Sequence, residues 1–253
     1  MCGIAGFIDS NYSRDTGLDL LENMLASIAH RGPDARGKWN EENVFLGQNR
    51  LSIIDLSEAS NQPFLYDDLV ISFNGEIYNY IEIKEELIKK GHRFTTQGDT
   101  EVICAAYKEY GERCVEQFMG MWAFALWDKT KKKLFCSRDR FGIKPFYYIE
   151  KNGGFYFGSE SKVFKQIPAF DKTLNIEQIQ RGIALNWVTY KDETYFKQLQ
   201  SLEPSHSLVI ENGQKKVYRY WDIDTQNKSN AHLSFKEKSE QFYHLFERSI
   251  KQH

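Results

Sequence analysis

The chain begins Met1-Cys2-Gly3-Ile4-Ala5-Gly6-Phe7-Ile8-Asp9, and the reading of this stretch decides how the rest is organised. GIAGFID has the apolar density of a buried strand that starts almost at the terminus. One residue before that strand stands a cysteine. Removal of Met1, favoured by the small side chain that follows, would put a thiol and a free α-amine on the same amino acid. That amine, with an ordinary pKa of about 7.7 to 8.0, is a base at neutral pH and needs no separate histidine. Such a pair suits acyl transfer: thiolate attack on a carboxamide, a tetrahedral oxyanion, loss of ammonia and hydrolysis of a thioester. A second-position cysteine can equally be an accident of sequence, so its meaning depends on the partners that the remaining residues supply.

Working outward, LDLLENMLASIAH carries Leu18, Leu21, Met24, Leu25 and Ile28 at helical spacing. Residues 44–46 and 51–54 read as a pair of strands, and LVISFN (69–74) as another. YIEIKEELIKKG is a helix closed by Gly91, and residues 100–110 form a helix ending at Gly111. MWAFALWD, KLFCSRD, FYYIE and GFYFGS follow as strands joined by KTKK and KNGG turns, which pair consecutive strands antiparallel. Runs of helix and antiparallel strand, without regular βαβ alternation, predict an α+β chain of sheets covered by helices. After the strand-like VYRYWDI, the polar DTQNKSNAHLS reads as a linker. FKEKSEQFYHLFERSIKQH then resumes as an amphipathic helix with Phe235, Phe242, Leu245, Phe246 and Ile250 on one side. A lone helix beyond a linker has no core of its own, so the expected division is a domain over 1–222 and, over 223–253, a linker with the first helix of a further domain.

Composition narrows the function classes. The 33 basic and 35 acidic residues leave a formal charge of −2, which offers no footprint for nucleic acid or for a membrane surface. Lys131, Lys132 and Lys133 sit between two strand-like runs and read as a solvated hairpin turn. No run approaches the roughly 18 apolar residues of a membrane span, and no secretory leader is evident, so a cytoplasmic location is expected. Cys104, Cys114 and Cys136 lie in apolar or alternating runs and read as small buried hydrophobes. No C-x-x-C pair points to a metal site. His206, His232, His244 and His253 occur in polar or linker contexts and do not build a Cys-His mechanism.

Acyl transfer also needs donors aimed at a developing oxyanion. Asn74-Gly75, ending LVISFN, has two readings: a plain NG turn, or a side-chain amide beside a glycine N–H at a strand edge. A zwitterionic amino-acid substrate would need a cation and an anion, for which Arg50 and Asp99 are candidates.

Taken together, MCGIAGF, HRGPD (30–34), RLSIIDLS (50–57), QPF (62–64), FNGEIYN (73–79), GDTEVI (98–103), MWAFALWD, RDRFGIKPFYY (138–148) and RYWD (219–222) resemble the glutaminase domain of the glutamine-hydrolysing asparagine synthetases. These belong to the class II glutamine amidotransferases, and the match runs in order over residues 2–222. The resemblance implies an N-terminal-nucleophile hydrolase fold, a four-layer αββα sandwich with two antiparallel sheets. It implies that Cys2 is the nucleophile and its freed amine the base, that Asn74 and Gly75 form the oxyanion hole, and that Arg50 holds the α-carboxylate of L-glutamine. Backbone groups of Leu51, Ser52, Ile53 and Ile54 would line the pocket, and Glu76 and Asp99 would engage the ammonium end. Arg31 would lie on a loop closing near the nucleophile or be simply structural. RDRFGIKP is expected to shape the interface towards a synthetase domain, without a catalytic role.

The departures are Gln48 where the family commonly has histidine, Gly98 where it often has serine or threonine, and GSESKVF (158–164) in place of an ASEIKAL-like run. No SGG-x-DS phosphate loop occurs, so no cofactor is expected here, and ATP and Mg belong to a synthetase domain in cis that this chain lacks. The chain alone would therefore hydrolyse glutamine and make no asparagine, with dimers of the kind common in the family. Three alternatives stand beside this. A relative could amidate another carboxylate such as a sugar acid. The glucosamine-phosphate synthase and phosphoribosylamine families share CGI and an NGE-like segment but fit RYWD and FGIKPFYY less well. A catalytically silent binding module would result if Met1 were retained, because an acylated Cys2 nitrogen is no base.

Overall fold

The opening strand, β1 (Gly3–Ile8), alternates Ile4 towards one side and Ala5 and Phe7 towards the other, and both sides are buried. A strand apolar on both faces must lie between two layers. The same holds for β3 (Val44–Arg50), where Val44 and Leu46 face one core and Phe45 the other, and for β6 (Gly120–Asp128), where Ala123 and Ala125 face one core and Phe124 and Leu126 the other. The computed structural model, which describes residues 1–226 and 229–252, resolves this pattern into four layers. Asn227 and Lys228 of the predicted linker, and His253, lie outside the described residues.

In chain order the remaining elements are α1 (Arg14–Ser27), β2 (Ala35–Glu41), β4 (Phe64–Tyr66), β5 (Leu69–Ile77), α2 (Tyr80–Lys89), α3 (Asp99–Tyr110), β7 (Lys133–Arg138), β8 (Tyr147–Lys151), β9 (Gly154–Gly158), α4 (Ile176–Leu185), β10 (Gln200–Ser201), β11 (His206–Glu211), β12 (Gln214–Arg219) and α5 (Phe235–Gln252). One sheet runs β10-β8-β9-β1-β3-β2 and the other β12-β11-β7-β6-β5-β4, with every pairing antiparallel. Between them lie Ile4, Leu46, Val70, Ala123, Ala125, Cys136 and Phe157. α1 covers the outer face of the first sheet with Leu21, Met24 and Leu25 against Phe7 and Phe45. α2 and α3 cover the second with Ile83, Leu87, Val102 and Ile103 against Phe73, Trp122 and Phe124. The expected αββα sandwich is the fold observed.

Ser13 caps α1 by accepting the Thr16 amide, and α2 and α3 close at Gly91 and Gly111, both with positive φ as the helix-end reading requires. KTKK and KNGG are the turns of the β6–β7 and β8–β9 hairpins, whereas β7 and β8, consecutive in sequence, belong to different sheets. Cys104, Cys114 and Cys136 are free and fully buried, and burial pushes all three thiols up.

One expected strand is corrected. Residues 51–54 are not extended into a sheet, and β3 pairs instead with β1 and β2, the latter unforeseen in the sequence. β2 begins at Ala35 opposite Arg50, so β3 has no partner beyond that residue, and the chain leaves the sheet as an irregular loop with Ile53 65% exposed. That loop forms one wall of the site.

Candidate active site

Cys2 immediately precedes β1, and β1 pairs with β3 in the register Gly3 to Asn49, so the end of β3 delivers Arg50 and Leu51 beside the thiol. The Leu51 N–H donates to Cys2 Sγ at 3.4 Å, and the thiol donates to Leu51 O at 3.5 Å. Across the sandwich, β5 presents Asn74, Gly75 and Glu76, and the first residue of α3 presents Asp99. These residues, with Met1, Ile53, Ile54 and Lys144 among others, line a cavity of about 80 Å³. Burial pushes the Cys2 thiol up, against the opposing pull of the Leu51 hydrogen bond, the chain amine and Arg50. A raised thiol needs a base to become a nucleophile.

The turn reading of Asn74-Gly75 is excluded, because both residues lie inside β5 and pair with Ala123 and Trp122. Asn74 is 1% exposed and its Nδ2 is buried without a hydrogen-bond partner. An orphaned buried amide is an unfavourable feature that a bound acceptor would relieve. Gly75 supplies the second donor. β4 pairs with β5 only as far as Ile71, which leaves the rest of that edge without a strand. Along it the Phe73 N–H donates to Gln62 Oε1 at 2.7 Å and the Ile77 N–H to Asp99 Oδ2 at 2.9 Å. Because backbone groups alternate sides along a strand, the Gly75 N–H between them is directed to the same edge. A Cβ on Gly75 would sit 2.3 Å from Met121 O, so no other residue fits this approach of the strands. Gln48 reaches from the first sheet to donate to Phe73 O at 2.6 Å, which fixes the strand next to Asn74.

Asp99 is buried, and desolvation, the largest influence, pushes its carboxyl up to about 7 despite the Ile77 amide. A desolvated carboxylate with only backbone donors around it is prepared for a cationic group. Glu76 also lines the cavity. The Arg50 guanidinium donates through Nη1 to Ser57 O at 2.8 Å and Asn61 Oδ1 at 2.7 Å, and through Nη2 to Asp55 O. All three acceptors are neutral, and among the described residues Arg50 makes no ion pair. Its charge is thus held in place but not neutralised. Asp55 pins this loop: its carboxylate accepts from Ser57 N, Ser60 Oγ and Gln97 N at 2.8, 2.8 and 3.0 Å, bonds that hold its pKa well below the usual carboxylate range.

Leu51, Ile53 and Ile54 line the cavity, whereas Ser52 does not, because its amide is held by Asp34 Oδ2 at 2.8 Å. Arg31 is also outside the lining: its Nε donates to Cys2 O at 2.9 Å and its Nη1 pairs with Glu160 at 3.0 Å, so it anchors the backbone of Cys2. Sequence reasoning missed Lys144, which was assigned with RDRFGIKP to an interface. The segment folds inward because Asp139 accepts the amides of Trp122, Phe141, Ile143 and Lys144, and this tight cap turns Lys144 into the cavity. The alternating carboxylate and glycine of RDRFGIK are the signal that a tight loop was present. Among the described residues, no group of three or more His, Cys, Asp or Glu could hold a metal.

A thiol one residue from the start of the chain, a donor pair on a strand edge and a buried carboxylate at the mouth of an αββα sandwich fit the amidotransferase class. The glutamine amidotransferase domain family matches residues 1–221, and the chain belongs to that family. It is similar to asparagine synthetase [glutamine-hydrolyzing] 1 of Bacillus subtilis, 39% identical over 214 residues, covering 83% of this chain and 33% of that protein. Asparagine synthetase [glutamine-hydrolyzing] 3 of the same organism is 32% identical over 235 residues, covering 91% of this chain and 38% of that protein. The chain therefore spans about a third of these relatives. In fold it resembles the glutamine phosphoribosylpyrophosphate amidotransferase of B. subtilis, with a TM-score of 0.66 at 18% identity over 88% of this chain and 50% of that one.

Proposed function

We propose that this domain hydrolyses L-glutamine to L-glutamate and ammonia once Met1 has been removed. The observation that carries the reading is the unpartnered Nδ2 of buried Asn74, in the same small cavity as Cys2. The α-amine of Cys2 takes the thiol proton, and Sγ attacks the side-chain carboxamide. The carbonyl oxygen becomes an oxyanion between Asn74 Nδ2 and the Gly75 N–H. The ammonium of Cys2 returns its proton to the leaving nitrogen, the C–N bond breaks, and ammonia departs from a thioester. The amine then deprotonates water, whose oxygen attacks the thioester, and C–S cleavage frees glutamate and the thiol. Arg50, with its uncompensated charge, holds the α-carboxylate, and Asp99 with Glu76 holds the ammonium group.

Residues 1–222 form the glutaminase unit in this reading, and α5 belongs to a synthetase domain in cis, where the ammonia is used in ATP-dependent synthesis of asparagine from aspartate. Its exposed Phe242, Leu245, Phe246 and Ile250 and the partial coverage of the synthetase relatives support that division. A cytoplasmic location accords with four unpaired cysteines. Met1 is 58% exposed at the cavity mouth, accessible to a processing peptidase. Intact mass should show Met1 absent, and a glutamine-analogue electrophile should label Cys2 and stop glutamate release. Retained Met1 together with full activity, or label on Cys104, Cys114 or Cys136, would overturn the mechanism.

A further inference from the structure

Lys144 contributes a cation to the cavity that holds Cys2. It is 6% exposed, and among the described residues its ammonium makes no hydrogen bond or ion pair. The residue is enclosed, yet its Nζ is not among the fully buried atoms without a partner, so the ammonium opens into the cavity. The backbone nonetheless holds this residue firmly: the Lys144 amide donates to Asp139 Oδ2 at 2.9 Å, Arg138 Nε donates to Lys144 O at 2.8 Å, and Pro145 follows. The fold thus directs the side chain into the cavity that contains Cys2. Arg31 reaches the Cys2 carbonyl at 2.9 Å. Cys2 therefore has one cation lining its cavity and another bonded to its carbonyl.

We propose that Lys144 is a positioning residue for charge: its ammonium keeps the α-amine of processed Cys2 neutral, and hence basic, near neutral pH. A like charge disfavours protonation of a neighbouring amine and favours a thiolate, so one cation assists both halves of the nucleophile-base pair. The other charged groups facing this region are Arg31 from the turn after α1, Arg50 at the end of β3, Glu76 on β5, Asp99 on α3 and Asp139 in the loop after β7. Arg31 already has Glu160 as a partner and Arg50 lies against the loop opposite, which leaves Lys144 as the uncompensated cation on its side. Burial, then Arg31, holds Lys144 itself below the usual lysine range, against weaker pulls from Cys2, Asp139 and Glu76.

The inference rests on the glutaminase reading and is tested on the processed chain. The pH dependence of kcat reports groups in the substrate complex, where Asp99 is already paired with the substrate ammonium. Lys144→Met is expected to move the acid limb of kcat upward by roughly half to one pH unit, lowering kcat about three- to tenfold at the foot of the limb, with Lys144→Arg restoring it. If Lys144→Met misfolds, Lys144→Gln is read in its place. A variant that raises KM with the limb unmoved would make Lys144 a substrate contact and overturn the proposal. So would a uniform loss of kcat at every pH in both the Met and Arg variants. Absence of glutamate release from the processed wild type overturns the underlying reading as well, whereas an active wild type with an unmoved limb in the variant removes this inference alone.

Discussion

The middle of the sandwich and its site end are built from the same strands but obey different rules. In the middle, Ile4, Val44, Leu46, Val70 and Phe157 from facing sheets pack with no polar group among them. A few residues along β1, β3 and β5 the side chains become Cys2, Gln48, Arg50 and Asn74, still largely buried but polar. Here Asn74 Nδ2, Gln48 Oε1 and Arg31 Nη2 are buried without partners. The difference teaches that the dry core supplies rigidity, and that this rigidity is what maintains an unsatisfied polar end that would otherwise collapse or hydrate.

Five measurements break or sharpen that contrast. At the site end, Cys2→Ala should remove glutamate release by at least about a thousandfold with an unchanged melting temperature, because only the nucleophile is lost. Asn74→Ala should lower kcat by about 10²- to 10³-fold, the effect of removing one oxyanion donor. Steady-state kinetics at saturating glutamine separates this from a binding defect. In the middle, Phe157→Ala should destabilise the fold by about 3 to 5 kcal/mol in denaturant titration. The activity of its folded fraction should stay close to wild type. A Phe157→Ala protein that is fully stable yet inactive would erase the distinction between the two regions.

The fourth measurement is pH dependence. The Asp99 carboxyl is pushed up to about 7 by burial, so in the free protein it is ionised above that pH and neutral below. An ammonium group needs the ionised form, so kcat/KM for glutamine should fall as pH drops through about 7, and Asp99→Asn should be weak throughout, keeping only the part of the acid limb set by the Cys2 amine. The smallest effect is expected at the rim. Asp55→Ala releases the hydrogen bonds to Ser57, Ser60 and Gln97, and should raise KM several-fold with kcat almost unchanged, since in the proposed site this loop positions Arg50 and not the reacting atoms.

Legibility in the sequence followed how local each signal is. The Gly91 and Gly111 helix ends, the KTKK and KNGG turns and the alternation in MWAFALWD depend on a few neighbouring residues. All were readable. The run 51–54 was apolar enough to suggest a strand, but strand formation needs a partner, and β2 ends its pairing at Arg50. The family resemblance implied that Ser52 lines the pocket with Leu51, Ile53 and Ile54, but a bond to Asp34, distant in sequence, uses its amide. Lys144 was invisible as a site residue because its direction depends on Asp139 gathering amides from β6 and from its own loop.

By itself the sequence determined the residue types for amide cleavage, the two-faced apolar strands and, through its ordered motifs, the family. Those properties are carried by side-chain chemistry and by periods of a few residues. Only the tertiary structure decided that Asn74-Gly75 lies inside a strand with an orphaned amide, that Arg31 grips the backbone of Cys2, and that Lys144 stands unpaired in the same cavity. Each depends on burial and on contacts between segments far apart in the chain, and desolvation is set by what packs around a group, which no local pattern encodes.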